Sequence, residues 1–410
     1  MTGSVLFYVQ HLLGIGHLHR ALRLVDALAR EGIRVTLVSG GESLPELAAA
    51  AAGRVVQLAP IRARDASFTE LVDQHGRPVD DALRAARRAA LLAAFAAAEP
   101  DAVAVEAFPF GRRAFRFELD PLIAAGRSRR PRALVLCSLR DIVVAPEDGG
   151  RRRDIVARVR ADFDAVLVHG DPRLVPLEAS FPEAPEIADR LVYTGYVGAA
   201  GEPPDVPPDC GPGMGSGEVL VSAGGGAVGG LLLATALEAR RRGCLSDCRW
   251  RLLAGPNLPA AEFSVLAANL PQGVVLERYR SDFPQMLRRC RVSVSQAGYN
   301  TVLDILASGA AAVLVPFADL HETEQNLRAQ RLTAAGRVES VAPGELSAQA
   351  IAAAIERAVR GRPAALAVDT GGARRSAQLI AAMIGVPRGI DPVGLQNFTI
   401  QPGDYTVGKW

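Results

Sequence analysis

VLFYVQHLLGIGHLHRALRLVDALAREGIRVTLVSGG, residues 5–41, sets the architecture. VLFYV (5–9) is an apolar run of β-formers, and HLLGIGH (11–17) is a loop with two glycines. HRALRLVDALAREG (19–32) then carries apolar residues at helical spacing and closes on Gly32, a residue type suited to the position just past a helix end. IRVTLVSGG (33–41) is a second strand followed by another glycine turn. Strand, crossover helix and strand make a βαβ unit, which implies a parallel, doubly wound sheet.

Working outward, the alternation continues with strands at 55–59, 101–108, 132–138, 164–170 and 190–197 and helices at 80–98 and 151–160. GEPPDVPPDCGPGMGSG (201–217) is dense in Pro and Gly and reads as an interdomain linker. A second series follows, with strands at 218–226, 248–255, 273–279, 291–298 and 310–317. Its helices are expected at 230–242, 282–289, 299–308, 321–336, 346–360 and 372–384. The expected organisation is α/β: a Rossmann-like domain over 1–200, the linker, a second Rossmann-like domain over 218–386, and a cleft between the two. Residues 387–410 have no clear period and no assigned role.

Composition narrows the function classes. A chain of 410 residues suits two domains, and 49% hydrophobic with 22% charged residues excludes a disordered chain or a fibrous rod. Lys plus Arg total 46 against 44 Asp plus Glu, a balance that argues against a nucleic-acid partner. The five cysteines fit neither a zinc site nor a disulfide framework and read as reduced thiols. The N-terminus enters a strand without a basic leader, and the alanine-rich stretch 83–99 is interrupted by Arg84, Arg87 and Arg88, so a cytoplasmic protein is expected. The basic runs 127–132 and 151–153 read as solvated faces, with contact to a membrane surface the minority alternative.

The chemistry concentrates at strand-to-helix turns. Gly14 and Gly16 permit a sharp turn that presents His17 beside a helix N-terminus, where an imidazole serves as a general base. Position 19 is His, so the dinucleotide fingerprint is incomplete; His11 and His19 are less favoured as the base. Glu106 ends a strand and competes with His17, while Arg140 and Asp141 end the next and are expected to face an acceptor. In the second half, Gly224, Gly225 and Gly226 allow backbone to approach a diphosphate. The segment Ser295–Asp304 describes a strand, a turn at Gly298 and a phosphate-holding helix start, with Gln296, Asn300 and Thr301 beside it and Asp304 placed for ribose hydroxyls. Tyr279 closes a neighbouring strand on the donor side, and Glu324 and Gln325 open a helix placed to reach sugar hydroxyls. Asp162-Phe163-Asp164 has the form of a DxD metal motif but precedes an apolar strand, so it reads as a helix-to-strand turn and no metal site is expected.

These residues carry a resemblance. The second half resembles the donor-binding domain of the family 28 GT-B glycosyltransferases, a group that includes the peptidoglycan N-acetylglucosaminyltransferase acting on a lipid-linked acceptor. Gly298, Thr301 and Asp304 match the family's G-x-x-T-x-x-E helix, with Asp in place of Glu. Glu324, Gln325 and Ala329 match its D/E/Q-Q-x-x-N-A helix, with Arg328 where Asn is frequent. Gly14, Gly16 and His17 resemble its first glycine-rich loop and G-H pair. The chain is also similar, over roughly residues 4–385, to bacterial predicted glycosyltransferases that share EAFPFGRR (106–113), FELDPL (117–122), SLRDI (138–142), VSAGGGA (221–227) and AGYNT (297–301). The resemblance implies a GT-B fold and inverting, metal-independent transfer of a sugar from a nucleotide donor, UDP first. The acceptor would be a small molecule or lipid-linked, and no cofactor beyond the donor is implied. Two readings stay open beside it: a UDP-sugar 2-epimerase of the same fold, and a non-catalytic nucleotide-sugar-binding protein.

Overall fold

The computed structural model describes residues 3–12, 16–43, 54–64, 70–198, 215–225, 228–317, 323–366 and 368–385. The chain divides into two compact units, one made of residues 1–198 with 369–410 and the other of 199–368. Among the described residues each unit is built on one parallel sheet.

The first unit runs β1 (Ser4–Val9), α1 (Gly16–Arg30), β2 (Arg34–Ser39), β3 (Arg54–Gln57), β4 (Ile61–Ala63), β5 (Leu71–Asp73), α2 (Asp81–Ala98) and β6 (Ala102–Glu106). It continues through α3 (Arg116–Ser128), β7 (Leu134–Arg140), α4 (Gly149–Asp162), β8 (Ala165–His169) and β9 (Leu191–Tyr193). The sheet order is β3-β2-β1-β6-β7-β8-β9, with β4 and β5 forming a separate antiparallel pair. β1 is buried at all six positions, as a central strand covered on both faces must be. One face packs Leu18, Ala21, Leu24, Val25 and Leu28 of α1 against Val5, Phe7 and Leu37. The other face packs Leu91 of α2, Leu119 and Leu122 of α3 and Val159 of α4 against Leu6, Val103 and Val135. Helix ends carry local stops: Asp80 accepts from the Leu83 N–H at the start of α2, Asp148 from the Gly150 N–H at the start of α4, and Gly32 follows α1 at φ 75°.

The second unit runs β10 (Val219–Ser222), α5 (Gly230–Arg241), β11 (Trp250–Leu253), α6 (Ala260–Ala267), β12 (Val274–Glu277), α7 (Phe283–Leu287), β13 (Val292–Ser295) and α8 (Tyr299–Ser308). β14 (Ala312–Leu314), α9 (Glu324–Ala334), β15 (Glu339–Ser340) and α10 (Ala348–Arg360) complete it. The sheet order is β12-β11-β10-β13-β14-β15. Its core joins Val219, Val221, Trp250 and Val294 to Leu233 and Leu237 of α5 and Ile351 and Ile355 of α10.

Strand order reverses once in each sheet, between β1 and β6 and between β10 and β13, and the C-terminal ends at such switch points open a crevice. The first crevice receives the start of α1 and Glu106; the second receives the glycine turn after β10 and Gly298 after β13.

The structure departs from the sequence reading in several places. The final helix, α11 (Gly372–Gly385), does not close the second domain as the 218–386 boundary expects. Its Ala373, Ala377, Leu379 and Ile380 pack in the core beside α1, because its apolar stripe fits that face. The return is tight: Tyr196 N–H donates to Asp369 O at 2.7 Å, and a Cβ on Gly372 would lie 2.2 Å from Gly195 O. α3, α6 and the β4–β5 pair were not anticipated, α1 begins at Gly16, and α9 begins at Glu324. The linker up to 214 and the tail 386–410 lie outside the described residues. Among the described residues no helix is long and apolar enough to cross a membrane.

Candidate functional site

In the first crevice the two competing bases meet. His17, in the first turn of α1, places Nδ1 2.6 Å from Glu106 Oε1 at the end of β6. Arg20, one turn further along α1, donates from its guanidinium to the same carboxylate oxygen. Glu106 is an acceptor when ionised, so the bonded imidazole nitrogen must carry the proton, and Nε2 keeps its lone pair. With that tautomer, the 3.1 Å approach of Arg20 to His17 Nδ1 is a contact, and the Arg20 bond goes to Glu106. The His17 side chain is 23% exposed and that of Glu106 only 1%, so the imidazole is the member a substrate can reach.

The electrostatics divide the roles in the same way. Burial pulls the His17 pKa down to about 4, more than Glu106 raises it, and keeps the ring neutral with one nitrogen unprotonated. Burial acts upward on Glu106, but His17 and Arg20 outweigh it and hold its carboxyl well below the usual carboxylate range. A neutral imidazole oriented by an ionised buried carboxylate is the arrangement that accepts a proton at Nε2. Glu106 is therefore placed to orient His17.

A buried chain backs this pair. Register puts Ser138 beside Glu106 and His169 beside Arg140. Ser138 Oγ lies 2.8 Å from His169 Nε2, and His169 Nδ1 lies 2.9 Å from Thr194 Oγ1. Burial first, then Arg20, pulls the His169 pKa down to about 3. Behind β1, Tyr8 OH donates to Glu118 Oε1 at 2.6 Å, and the fully buried Arg87 binds both Glu118 oxygens as well as Gln10 Oε1 and Gly40 O. This network ties α2 and α3 to the strand ends that carry the site. Arg140 is half-buried at the end of β7, and the buried Asp141 accepts from Tyr196 OH at 3.2 Å.

In the second crevice the glycines leave the backbone without Cβ cover, although Gly224 N–H donates to Ser222 Oγ at 3.3 Å and Gly225 O accepts from Asn257 Nδ2 at 2.7 Å. Gly224 turns at φ 68°, and a Cβ there would meet only Thr301 Oγ1, at 4.0 Å; Cβ atoms on Gly225 and Gly298 would meet nothing within 4 Å. α8 starts at Gly298 without a side-chain cap, so its first N–H groups are not covered by one. Asn300, Thr301 and Asp304 lie half-buried on the first turns of α8. Open glycine backbone beside an uncapped helix start is the kind of arrangement that can hold an anion. Tyr279 is 71% exposed, a free aromatic face beyond the end of β12.

α9 supports this arrangement from behind. Gln325 Oε1 accepts from Ala297 N–H at 3.0 Å and Phe317 N–H at 3.1 Å, and Arg328 donates to Ala297 O at 3.0 Å. Arg328 also pairs with Glu324 at 2.8 Å, both side chains buried. Glu324 thus spends one carboxylate oxygen on Arg328, and Gln325 spends its amide oxygen on backbone, so both act on the turn at Ala297. Gln296 is buried, with Nε2 3.4 Å from Val228 O. Asp162 pairs with Arg158, and Asp164 with Arg132 and the Val135 N–H, so both DxD carboxylates serve the α4–β8 turn. Gly16 opens α1; Gly14 and Gly226 lie outside the described residues.

Residues 225–383 match the glycosyltransferase family 28 C-terminal domain. This part of the chain is a family 28-like glycosyltransferase domain. The match ends within α11, so the family pattern includes the helix that packs on the first unit. Among curated relatives, the chain is similar to a UDP-N-acetylglucosamine–N-acetylmuramyl-(pentapeptide) pyrophosphoryl-undecaprenol N-acetylglucosamine transferase of Rhodospirillum centenum, 28% identical over 141 residues. That match covers 32% of this chain and 37% of the relative. The same transferase of Rhizobium johnstonii is 32% identical over 122 residues, covering 28% of this chain and 32% of the relative. The chain thus aligns with about a third of the length of these relatives. Among solved structures, the calicheamicin glycosyltransferase aligns at TM-score 0.62 and 21% identity, over 95% of this chain and 100% of that one. MurG of Acinetobacter baumannii aligns at TM-score 0.56 and 16% identity, over 93% and 100% respectively. The GT-B fold therefore extends beyond the family 28-like domain to most of the chain.

Sequence reading singled out neither Arg20 nor the His169 chain, and it named Arg328 only as a departure from the family motif. Arg20 had a signal, since it lies one helical turn beyond His17 on the same face.

Proposed function

We propose that the protein is an inverting glycosyltransferase that moves a sugar from a UDP-linked donor to a hydroxyl of a small-molecule or lipid-linked acceptor, without a metal or cofactor. The observation that carries this reading is the His17–Glu106 pair, with its partly exposed imidazole, in a chain whose other half carries the family 28-like domain. The printed donor of the curated relatives, UDP-N-acetylglucosamine, makes UDP the first nucleotide to try.

In this reading the acceptor O–H gives its proton to His17 Nε2 while its oxygen bonds the anomeric carbon. The bond from that carbon to the diphosphate breaks with its electron pair leaving on oxygen. Glu106 stabilises the imidazolium that forms, and Arg20 keeps Glu106 ionised. The Gly224–Gly225 backbone and the start of α8 receive the charge that develops on the diphosphate. Tyr279 offers a stacking face to the base, and Asp304 a hydrogen-bond acceptor to the ribose.

The test is a nucleotide and nucleotide-sugar panel read first by thermal shift and then by UDP release, with and without acceptors and with EDTA. UDP-selective stabilisation and acceptor-dependent, EDTA-resistant UDP release are expected. Donor turnover without any acceptor would instead mark an epimerase, and UDP binding without turnover a binding protein. Loss of turnover in EDTA, restored by Mg²⁺ or Mn²⁺, would return Asp162 and Asp164 to consideration as ligands.

A further inference from the structure

In the first unit, the chain just after β6 and the first turns of α4 enclose a cavity of about 140 Å³. Phe108, Phe110 and Ile155 floor it, and all three belong to the core that α2, α3 and α4 share. The apolar residues of α1 pack in the core on the other face of the sheet. Neither His17 nor Glu106 lines this cavity.

The floor is held from behind. The Phe110 and Phe181 rings meet edge-on with centroids 5.2 Å apart. Phe108 lies 6.4 Å from Phe163 and carries the Arg158 guanidinium over its ring at 5.2 Å. Gly111 N–H closes on Ala107 O at 2.7 Å, and Phe115 N–H on Arg112 O at 2.9 Å, which fixes the loop bearing both rings. Rings packed in this way do not swing in to fill the space. The volume suits one ring, since an apolar cavity of about 150 Å³ takes up benzene.

The rim supplies charge. Arg113, Arg116, Arg151 and Arg158 line it, against one acidic residue, Asp154. Arg158 is held by Asp120 at 2.6 Å and Asp162 at 3.0 Å, and Arg116 by Asp120 at 3.2 Å. Arg151 has only Asp148, at 3.7 Å, and Arg113 has no hydrogen bond or ion pair among the described residues. Asp154 has none either, and it offsets one of these two charges. α3 begins at Arg116 without a side-chain cap, which adds the positive end of its dipole to the same rim. The balance suits a single negative charge and disfavours a dianion beside Asp154.

We infer that this cavity is a second ligand site, for one aromatic or saturated ring that carries a single carboxylate. The ring displaces water from Phe108, Phe110 and Ile155, and the carboxylate accepts from Arg113 and Arg151 at the mouth. Both arginines are exposed, so their pull is worth only a few-fold in affinity. The site stands whether or not the first crevice transfers a sugar, because none of the residues given that chemistry lines it.

The test is methyl NMR on the full chain labelled at its isoleucine δ-methyl groups, with the Ile155 signal assigned through Ile155→Val. Benzoate should move the Ile155 signal saturably, and benzyl alcohol should do so about fivefold more weakly. Acetate, which lacks the ring, should leave it unmoved at the same concentrations. Arg113→Glu combined with Arg151→Glu should erase the preference for benzoate while benzyl alcohol still binds. Arg362→Glu, at an exposed arginine of the second unit, should change neither. The isoleucine spectrum of each variant reports that it is folded. An Ile155 signal that benzoate does not move, equal affinity for benzoate and benzyl alcohol, or a preference that survives the double reversal overturns the inference.

Discussion

His169 makes folding of the first unit depend on pH in a direction that can be measured. Its side chain is fully buried between Ser138 and Thr194, and its pKa is pulled down to about 3. In the unfolded chain an imidazole titrates near about 6.5. The folded value is the depressed one, so below about 6.5 the unfolded chain takes up a proton that the native state refuses. The stability contributed by the neutral ring is present above that pH and is lost progressively as pH falls toward about 3. At about 1.4 kcal/mol per pKa unit, the loss between pH 7 and pH 5 comes to about 2 kcal/mol. His17, with its pKa near 4, adds a loss of the same sign in the same window. The comparison is therefore wild type against His169→Gln, in which the His17 contribution cancels. Urea unfolding read by hydrogen exchange on peptides from β7 and β8 isolates the first unit. The substitution lowers stability at pH 7 by about 1–3 kcal/mol through altered hydrogen bonds, yet its pH 7-to-5 loss should be about 2 kcal/mol smaller than that of wild type. Identical pH dependence in the two proteins would refute the reasoning.

His17→Ala should lower kcat by about 10²–10⁴ and leave UDP affinity unchanged; Glu106→Gln should also lower kcat, and a variant that kept wild-type kcat at either position would remove that residue from the mechanism. Asp304→Ala should weaken UDP binding by about 1–3 kcal/mol in calorimetry, and unchanged affinity would take Asp304 out of the donor site. Glu118→Gln leaves Arg87 charged and buried, and should cost about 3–5 kcal/mol in urea unfolding; a loss below about 1 kcal/mol would show that the network relaxes around the change.

The strand and helix alternation was legible because each element repeats a local pattern that needs no partner to be seen, as in β1 and α1. The open glycine turns after β10 and β13 were legible for a related reason, since glycine before a helix start limits what the backbone there can do. Buried charge was not legible. Arg20, Arg87, Glu118 and Arg328 look like solvent-facing residues in the chain, and only the fold shows that each meets its partner across elements or beneath a turn. The pairing of His17 with Glu106 belongs to the same class: both were singled out, as rivals, because 89 residues separate them and only the β1–β6 adjacency joins them. α3 escaped because Pro121 lies inside it and reads as a breaker, although Leu119, Leu122 and Ile123 form its buried stripe. The placement of α11 could not be read at all, since an amphipathic stripe does not say which sheet it covers.

That last helix has a consequence for synthesis. Domains generally fold in the order in which they emerge from the ribosome. Here the face of the first sheet that carries Val5, Phe7 and α1 is completed only by Ala373, Ala377, Leu379 and Ile380. The whole second unit, 199–368, must be translated before that cover exists. The earliest part of the chain to emerge is therefore the last to close its core, and a nascent chain stalled within the second unit carries an uncovered apolar face on the first.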